Sequence, residues 1–305
     1  MKKVAISIGD LNGVGIEIAL KAHKYINSIC KPLYMIDKSM LELSCTLLKR
    51  NIPENFTTFN VAKEFKITPS LVSKSSGEYS YKSFLKAIEL AVNKKVDAIV
   101  TLPINKEAWH MAGIKYKGHT DVLHDIFNKN AIMMIGCEKL YCAFFTHHVP
   151  LSQVSSLIKQ EPLTKFLIDF YNCIKEDKIG ILALNPHAGD NGVLGDEEKI
   201  IQKAIDQANK ELNKKVFSNP IVPDIAFIPQ NREKYRYFVA MYHDQGLIGV
   251  KSLYFDESIN VSLNLPIIRT SVDHGSAFDI AYKDKNPSTK SYINAVKKAL
   301  KLCEV

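Results

Sequence analysis

Apolar runs of strand length alternate with segments of helical period along most of the chain, and this alternation limits the fold more than any other feature. KVAISIG (3–9) reads as a strand, and a helical pattern follows from about Gly15 to Ile26. KPLYMID (31–37) and then SMLELSCTLLKR repeat the pair. A helix from Tyr81 to Val92 feeds the strand VDAIVTLP (96–103), and AIMMIGCE with KLYCAFFTHH brackets 131–148. Helices around 161–175 and 196–212 lead to the strands KIGILALNP (178–186) and DIAFIP (224–229). The run YFVAMYHDQGL (237–247) comes next, and a last helix is predicted near 288–302. Strands that are apolar throughout are buried on both faces, which calls for largely parallel sheets covered by helices. Residues 51–75 are the least regular part, and ITPSLVSKSSGE reads as loop or short strand.

At 305 residues the chain accommodates two domains or lobes, taking ~150 residues for each. It holds no apolar run of ~18 residues, so no membrane span is expected. The segment MKKVAISIGD lacks the longer apolar core and small-residue cleavage site of a signal peptide. Six cysteines form no CxxC pair, so reduced thiols and a cytoplasmic location are expected. The formal net charge is +8, but the lysines are spread along the chain. Nucleic acid is therefore not an expected partner, and an anionic small substrate explains the charge as well.

In parallel α/β sheets, ligands bind beyond the carboxyl ends of the strands. Three strands end there in histidine. LYCAFFTHHVP ends in His147-His148, IGILALNPHAGDNG reaches His187, and YFVAMYHDQGL reaches His243. Any one of these is readily a capped or hydrogen-bonded structural residue. Three at equivalent strand ends, His148 (or His147), His187 and His243, also match a catalytic divalent-metal site with an open position.

Other polar groups follow apolar segments. His119 and Thr120 in GHTDVL stand where a helix can begin, so Thr120 is either an N-cap or part of an anion site at a helix N-terminus. Lys251 follows the helix-like GLIGV, and Asn260 lies in INVSLNLP. Arg269 sits between Ile267-Ile268 and Val272, an apolar setting that favours a paired or ligand-bound guanidinium. A lysine, an arginine and small hydroxyl or amide donors suit a phosphate monoester. The turn ISIGDLNGVGIEI has the order GDxxGxGxE rather than the dinucleotide GxGxxG, and a tight strand-to-helix turn explains it.

GDLNGVGIEI, LPINKEA, GHTDVL, THHVPL, LNPHAGDNGVLGDEE, MYHDQGL and LPIIRTSVDHGSAFDIA occur in the order seen in the 4-hydroxythreonine-4-phosphate dehydrogenase family of pyridoxal phosphate biosynthesis, which the chain resembles over nearly its whole length. The resemblance implies a cytoplasmic homodimer that uses NAD or NADP. It also implies one divalent metal (zinc, magnesium or cobalt) per site, bound by three histidines at the dimer interface. Carried over by motif, the metal ligands are His148, His187 and His243. His148 is chosen over His147 because it directly precedes Val-Pro-Leu. The split implied is His148 and His187 from one chain with His243 from its partner. Substrate contacts fall on His119, Thr120, Lys251, Asn260 and Arg269. HGSAFDIA is also similar to the adenine-side loop of isocitrate and isopropylmalate dehydrogenases, which places His274, Gly275, Ala277 and Asp279 near the cofactor's adenosine. The chain departs from the family pattern at Leu11-Asn12, at Ile16, and at Tyr282, where the family usually has glycine.

The activity implied is oxidation of the C3 hydroxyl of 4-phosphooxy-L-threonine, then decarboxylation to 3-amino-2-oxopropyl phosphate. Asp244 would orient an imidazole or cap a helix, and Asp224 is a weaker candidate for a polar role at the cleft. Rival readings are a metal-dependent hydrolase, a dehydrogenase of a related phosphorylated hydroxy acid, and a non-enzymatic phospho-ligand binding protein. The expected architecture is two α/β/α lobes with largely parallel sheets and an active-site cleft between them. Residues 1–130 with 275–305 form the first lobe, and 131–274 form the second, which carries the metal ligands.

Overall fold

The computed structural model describes residues 1–304. The chain divides into two compact units, one of residues 1–131 with 265–304 and one of residues 132–264. In the first unit the order is β1 (Lys3–Ser7), α1 (Gly15–Ile29), β2 (Lys31–Met35), α2 (Lys38–Leu48), β3 (Thr58–Phe59), α3 (Lys74–Val92), β4 (Ala98–Thr101), α4 (Lys106–Met111) and α5 (His119–Phe127). The second unit holds β5 (Ile132–Cys137), β6 (Leu140–Thr146), α6 (Leu151–Leu157), α7 (Gln160–Ile174), β7 (Ile179–Leu182), α8 (Glu197–Glu211), β8 (Phe217–Ile221), α9 (Pro229–Lys234), β9 (Tyr237–Tyr242), α10 (His243–Tyr254) and β10 (Ile259–Leu263). The chain then returns to the first unit for β11 (Arg269–Val272) and α11 (Lys290–Leu302).

Within the first unit the strands run β3-β2-β1-β4-β11, and every neighbouring pair is parallel. Its core joins Ala5, Met35 and Ile99 of the sheet to Phe84 of α3 and Trp109 of α4. The second change of unit falls at 264/265 rather than 274/275, because β11 pairs with β4 from its first residue, Arg269 opposite Ile99. The irregular stretch before α3 is organised from the N-terminal turn. Asn12 is fully buried; its amide donates to Thr68 Oγ1, the Leu71 carbonyl and Ser73 Oγ, and its Oδ1 accepts from the Thr68 N–H at 2.9 Å. Ser73 caps α3, accepting from the Ser76 N–H, so the helix begins well before the expected Tyr81.

In the second unit the order is β10-β5-β6-β9-β7-β8. β10, β5 and β6 are antiparallel to one another in turn, while β6, β9, β7 and β8 run parallel. The expected strand at DIAFIP is instead a 3-10 turn at Pro223–Ile225 leading into α9. The strand lies earlier, at Phe217–Ile221, where Pro220 and the polar Ser218 and Asn219 are tolerated because β8 is the last strand in the order. No described helix is long and apolar enough to cross a membrane.

Candidate active site

The parallel trio β6, β9 and β7 points its carboxyl ends the same way. Phe238 to Met241 are fully buried in β9, and the chain becomes polar at the tip, where His243 opens α10 directly. Gly246 lets that helix sit on the sheet. A Cβ there would stand 2.3 Å from Cys142 Sγ, 3.0 Å from Phe144 and 3.1 Å from the Ala240 Cβ. On the adjacent strand, Thr146 ends β6 and donates to the Met241 carbonyl at 2.8 Å. His148 follows with a left-handed backbone, φ 57°. Its ring centroid lies 5.8 Å from that of His243 within the same chain. His147 is half-buried beside it, its ring nearly perpendicular at 5.1 Å. His148 is thus the member of the pair that meets His243, although both lie beyond the strand and its alternation of faces.

Asp244 is not a cap. It lies in the first turn of α10, and its Oδ1 is 2.6 Å from His243 Nδ1. That bond leaves Nε2 of His243 as the nitrogen for a ligand. His187 is exposed on a tight turn, Pro186–Gly192, that follows β7. The turn bearing Asp224 packs against it, and Asp224 itself is exposed. Among the described residues, no three His, Cys, Asp or Glu side chains are grouped closely enough to hold a metal ion. The His148–His243 pair fits two positions of a divalent cation; His187 is not brought to the pair within the chain.

Gln245, which is not among the sequence candidates, stands in the same tip. Its Oε1 accepts from the Met241 N–H at 2.8 Å, and its Nε2 donates to the Ala183 carbonyl at 2.6 Å. One amide therefore ties the end of β9 to the end of β7, the two strands that lead to His243 and His187. An amide side chain just past a strand tip is the available signal, since it both donates and accepts. Gln245→Leu would leave both buried backbone groups without that partner. A loss of about 1–3 kcal/mol is expected, read as a lower urea midpoint; an unchanged midpoint would show that the bridge contributes nothing. Lys251 lies on the same helix, half-buried, about 12 Å further along its axis. Asn260 lies in β10 opposite Ile135.

In the first unit, Arg269 is 2% exposed, and its Nη2 donates to Thr101 Oγ1 at 2.7 Å. Burial pushes its pKa down to about 9. His119 opens α5, its ring edge-on to Phe84 at 4.5 Å and to Trp109 at 5.6 Å. Its Nε2 is buried without a hydrogen-bond partner. Burial, then the charges of Arg269 and Lys106, hold its pKa well below the ordinary histidine value, so the ring is neutral. The cap of α5 is Gly118, and Thr120 is its second residue rather than its N-cap. A buried cation, a second cation, an unsatisfied imidazole nitrogen and a helix start together fit an anion. Lys106, within LPINKEA, adds its charge to that of Arg269 at His119.

The remaining candidates share one loop. His274 Nδ1 is 3.0 Å from the Gly275 carbonyl oxygen, and its Nε2 is buried without a partner. A Cβ on Gly275 would meet nothing within 4 Å, so that face of the loop is open. Ala277 is left-handed, and Asp279 is exposed. The glycine turn packs on this loop. A Cβ on Gly13 would stand 2.7 Å from the Ser276 carbonyl oxygen, which accepts the Val14 N–H at 3.0 Å. Tyr282, at the family's glycine position, has φ 60°, and its hydroxyl donates to the Leu11 carbonyl at 2.7 Å. The side chain thereby anchors a backbone conformation that favours glycine.

The family model described as pyridoxal phosphate biosynthetic protein PdxA matches residues 28–299. A 4-hydroxythreonine-4-phosphate dehydrogenase from Sulfurimonas denitrificans is 58% identical over 302 residues, covering 99% of this chain and 98% of the relative. Among solved structures, a 4-hydroxythreonine-4-phosphate dehydrogenase from Burkholderia phymatum superposes with a TM-score of 0.82 at 30% identity, covering 99% of this chain and 98% of that one. An isocitrate dehydrogenase from Methylococcus capsulatus shares the fold, with a TM-score of 0.51 at 13% identity over 99% of this chain and 85% of that one.

Proposed function

The chain belongs to the PdxA family of pyridoxal phosphate biosynthetic proteins, and from this we infer that it is a dehydrogenase acting on 4-hydroxythreonine 4-phosphate. The observation that carries the reading into chemistry is the His148–His243 pair at the ends of adjacent parallel strands. The reaction proposed is oxidation of the C3 hydroxyl with NAD or NADP, then loss of CO2 to give 3-amino-2-oxopropyl phosphate. The hydrolase reading is not favoured, because the full-length relatives are dehydrogenases.

His148, His187 and His243 are proposed to hold one divalent cation (zinc, magnesium or cobalt), with Asp244 fixing the His243 ring. The cation would supply Lewis acidity toward the hydroxyl being oxidised. A homodimer is proposed, with the donors that one chain does not bring together drawn from its partner. Arg269 and His119 receive the phosphate. Burial makes the guanidinium an undersolvated charge, and the neutral imidazole can donate one N–H to a phosphate oxygen. Thr120, Lys251 and Asn260 are proposed to bind the remaining polar groups of the substrate. His274, Gly275, Ala277 and Asp279 are proposed to hold the adenosine, in keeping with the open face of Gly275 and the unsatisfied Nε2 of His274.

The test is the ultraviolet absorbance of reduced nicotinamide, followed with 4-phosphooxy-L-threonine and either dinucleotide. The rate at which absorbance rises should be measurable with a divalent metal present, drop to background after chelation, and recover when metal is restored. Full turnover in the chelated, metal-depleted enzyme would remove the metal from the mechanism. Substrate consumption without nicotinamide would restore the hydrolase.

A further inference from the structure

We propose that Glu198, acting with Asn185, is a positioning clamp for the turn that carries His187. The proposal rests on the reading of His187 as a metal ligand. Between Pro186 and Gly192 the backbone turns left-handed and stays so. His187, Ala188, Gly189, Asp190 and Asn191 have φ of 52°, 53°, 77°, 43° and 56°. Left-handed backbone crowds the Cβ of any L-residue against the carbonyl oxygen, so residues other than glycine normally adopt it singly. A run containing four such residues persists only where its surroundings over-determine it.

Those surroundings centre on one carboxylate. Glu198 lies in the first turn of α8, where a negative charge is favoured. Its Oε1 accepts the Leu184 N–H at 3.0 Å and the Asn185 N–H at 2.7 Å, the two residues that enter the turn. Its Oε2 accepts from Asn185 Nδ2 at 3.0 Å. The same amide donates to Glu197 Oε2 at 2.7 Å, and Glu197 accepts the Ser155 hydroxyl. Glu198 Oε2 also underlies the middle of the run, since a Cβ on Gly189 would come within 2.6 Å of it. Bonds from the Ala188 N–H to the Asn185 carbonyl and from the Leu194 N–H to the Gly189 carbonyl close the turn above the carboxylate. Entry and centre of the turn are thus held by one side chain, and the imidazole of His187 projects from the segment between them.

The test is calorimetric titration of the metal-free protein with Zn²⁺, for wild type, Glu198→Ala, Glu198→Gln, His187→Ala and the Glu198→Ala/His187→Ala double variant. Glu198→Ala should lower affinity about 10- to 100-fold, the range seen when groups supporting a ligand are removed, with the far-ultraviolet dichroism unchanged. Glu198→Gln should recover part of the loss, because its carbonyl still accepts the two backbone N–H groups. In the His187→Ala background, Glu198→Ala should add no further loss, because the clamp acts only through that histidine. Wild-type affinity in Glu198→Ala beside a reduced affinity in His187→Ala would overturn the clamp and spare the ligand. An equal further loss in the double variant would also overturn it, by showing that Glu198 acts on the fold at large. Unchanged affinity in His187→Ala would overturn the ligand assignment, and the clamp's metal role with it. Should Glu198→Ala not fold, Glu198→Gln and Asn185→Ala carry the same comparison.

Discussion

His243→Ala should lose essentially all turnover, at least ~10³-fold in kcat/KM, together with bound metal, while the protein stays folded. The size follows from the work assigned to the cation. Stabilising charge on a reacting oxygen is worth several kcal/mol, and each ~1.4 kcal/mol is a factor of ten in rate. Retention of the fold follows from position. β9 is fully buried through Met241, but His243 lies beyond the strand, half-buried, with its ring against Phe144 at 5.3 Å. The Asp244 carboxylate that would lose its partner is exposed, so no charge is stranded in the core. Metal per chain, kcat/KM and far-ultraviolet dichroism together check the outcome, and a variant with wild-type metal content and turnover would sink the assignment. Mixed dimers add a second reading. If His148 and His243 serve one site from one chain, mixing His148→Ala with His243→Ala chains leaves one defect in each site and restores nothing. Recovery toward half activity would place the two histidines of a site on different chains.

The parts of this site that were legible in the sequence are those written in hydrophobic pattern. β6, β7 and β9 are continuous apolar runs, so both their existence and the abrupt polarity of their tips could be read without a structure. What escaped was set by backbone conformation or by a single amide. No pattern of residue types shows that His148 and the run from His187 to Asn191 are left-handed. Asn12 completes several hydrogen bonds to the 68–73 segment and Gln245 reaches the Ala183 carbonyl, and nothing in their flanking residues announces those partners. The strand expected at DIAFIP failed for another reason. A short apolar run is compatible with strand or turn, and Pro223 and Pro229 settle it by starting the 3-10 turn and α9. The edge strand β8 was missed in turn because its proline and polar residues look like loop. Arg269 was picked out by its apolar neighbours, and it is indeed buried; its bond to Thr101 was not visible, because the two residues are 168 positions apart.

Arg269→Met should raise the substrate's KM without weakening the protein, and that combination separates binding from folding. The guanidinium is buried, and desolvation lowers its pKa to about 9, well below the ordinary arginine value. The sign of the linkage follows. Between those two values the unfolded chain binds more protons at this residue than the folded chain, so stability gains as pH rises through that window. Below about 9 the charge is present and its burial works against the fold. An unbranched apolar side chain in its place should therefore leave the unliganded melting temperature level or raise it. Binding should move the other way. One charge-assisted contact is worth roughly 1.5–3 kcal/mol, so kcat/KM should fall about 10- to 150-fold. Inorganic phosphate should raise the melting temperature of the wild type and have little effect on the variant, because an anion beside Arg269 relieves a cost that only the wild type carries. Unchanged KM and equal protection by phosphate in both proteins would mean that the buried guanidinium serves the fold and not the phosphate.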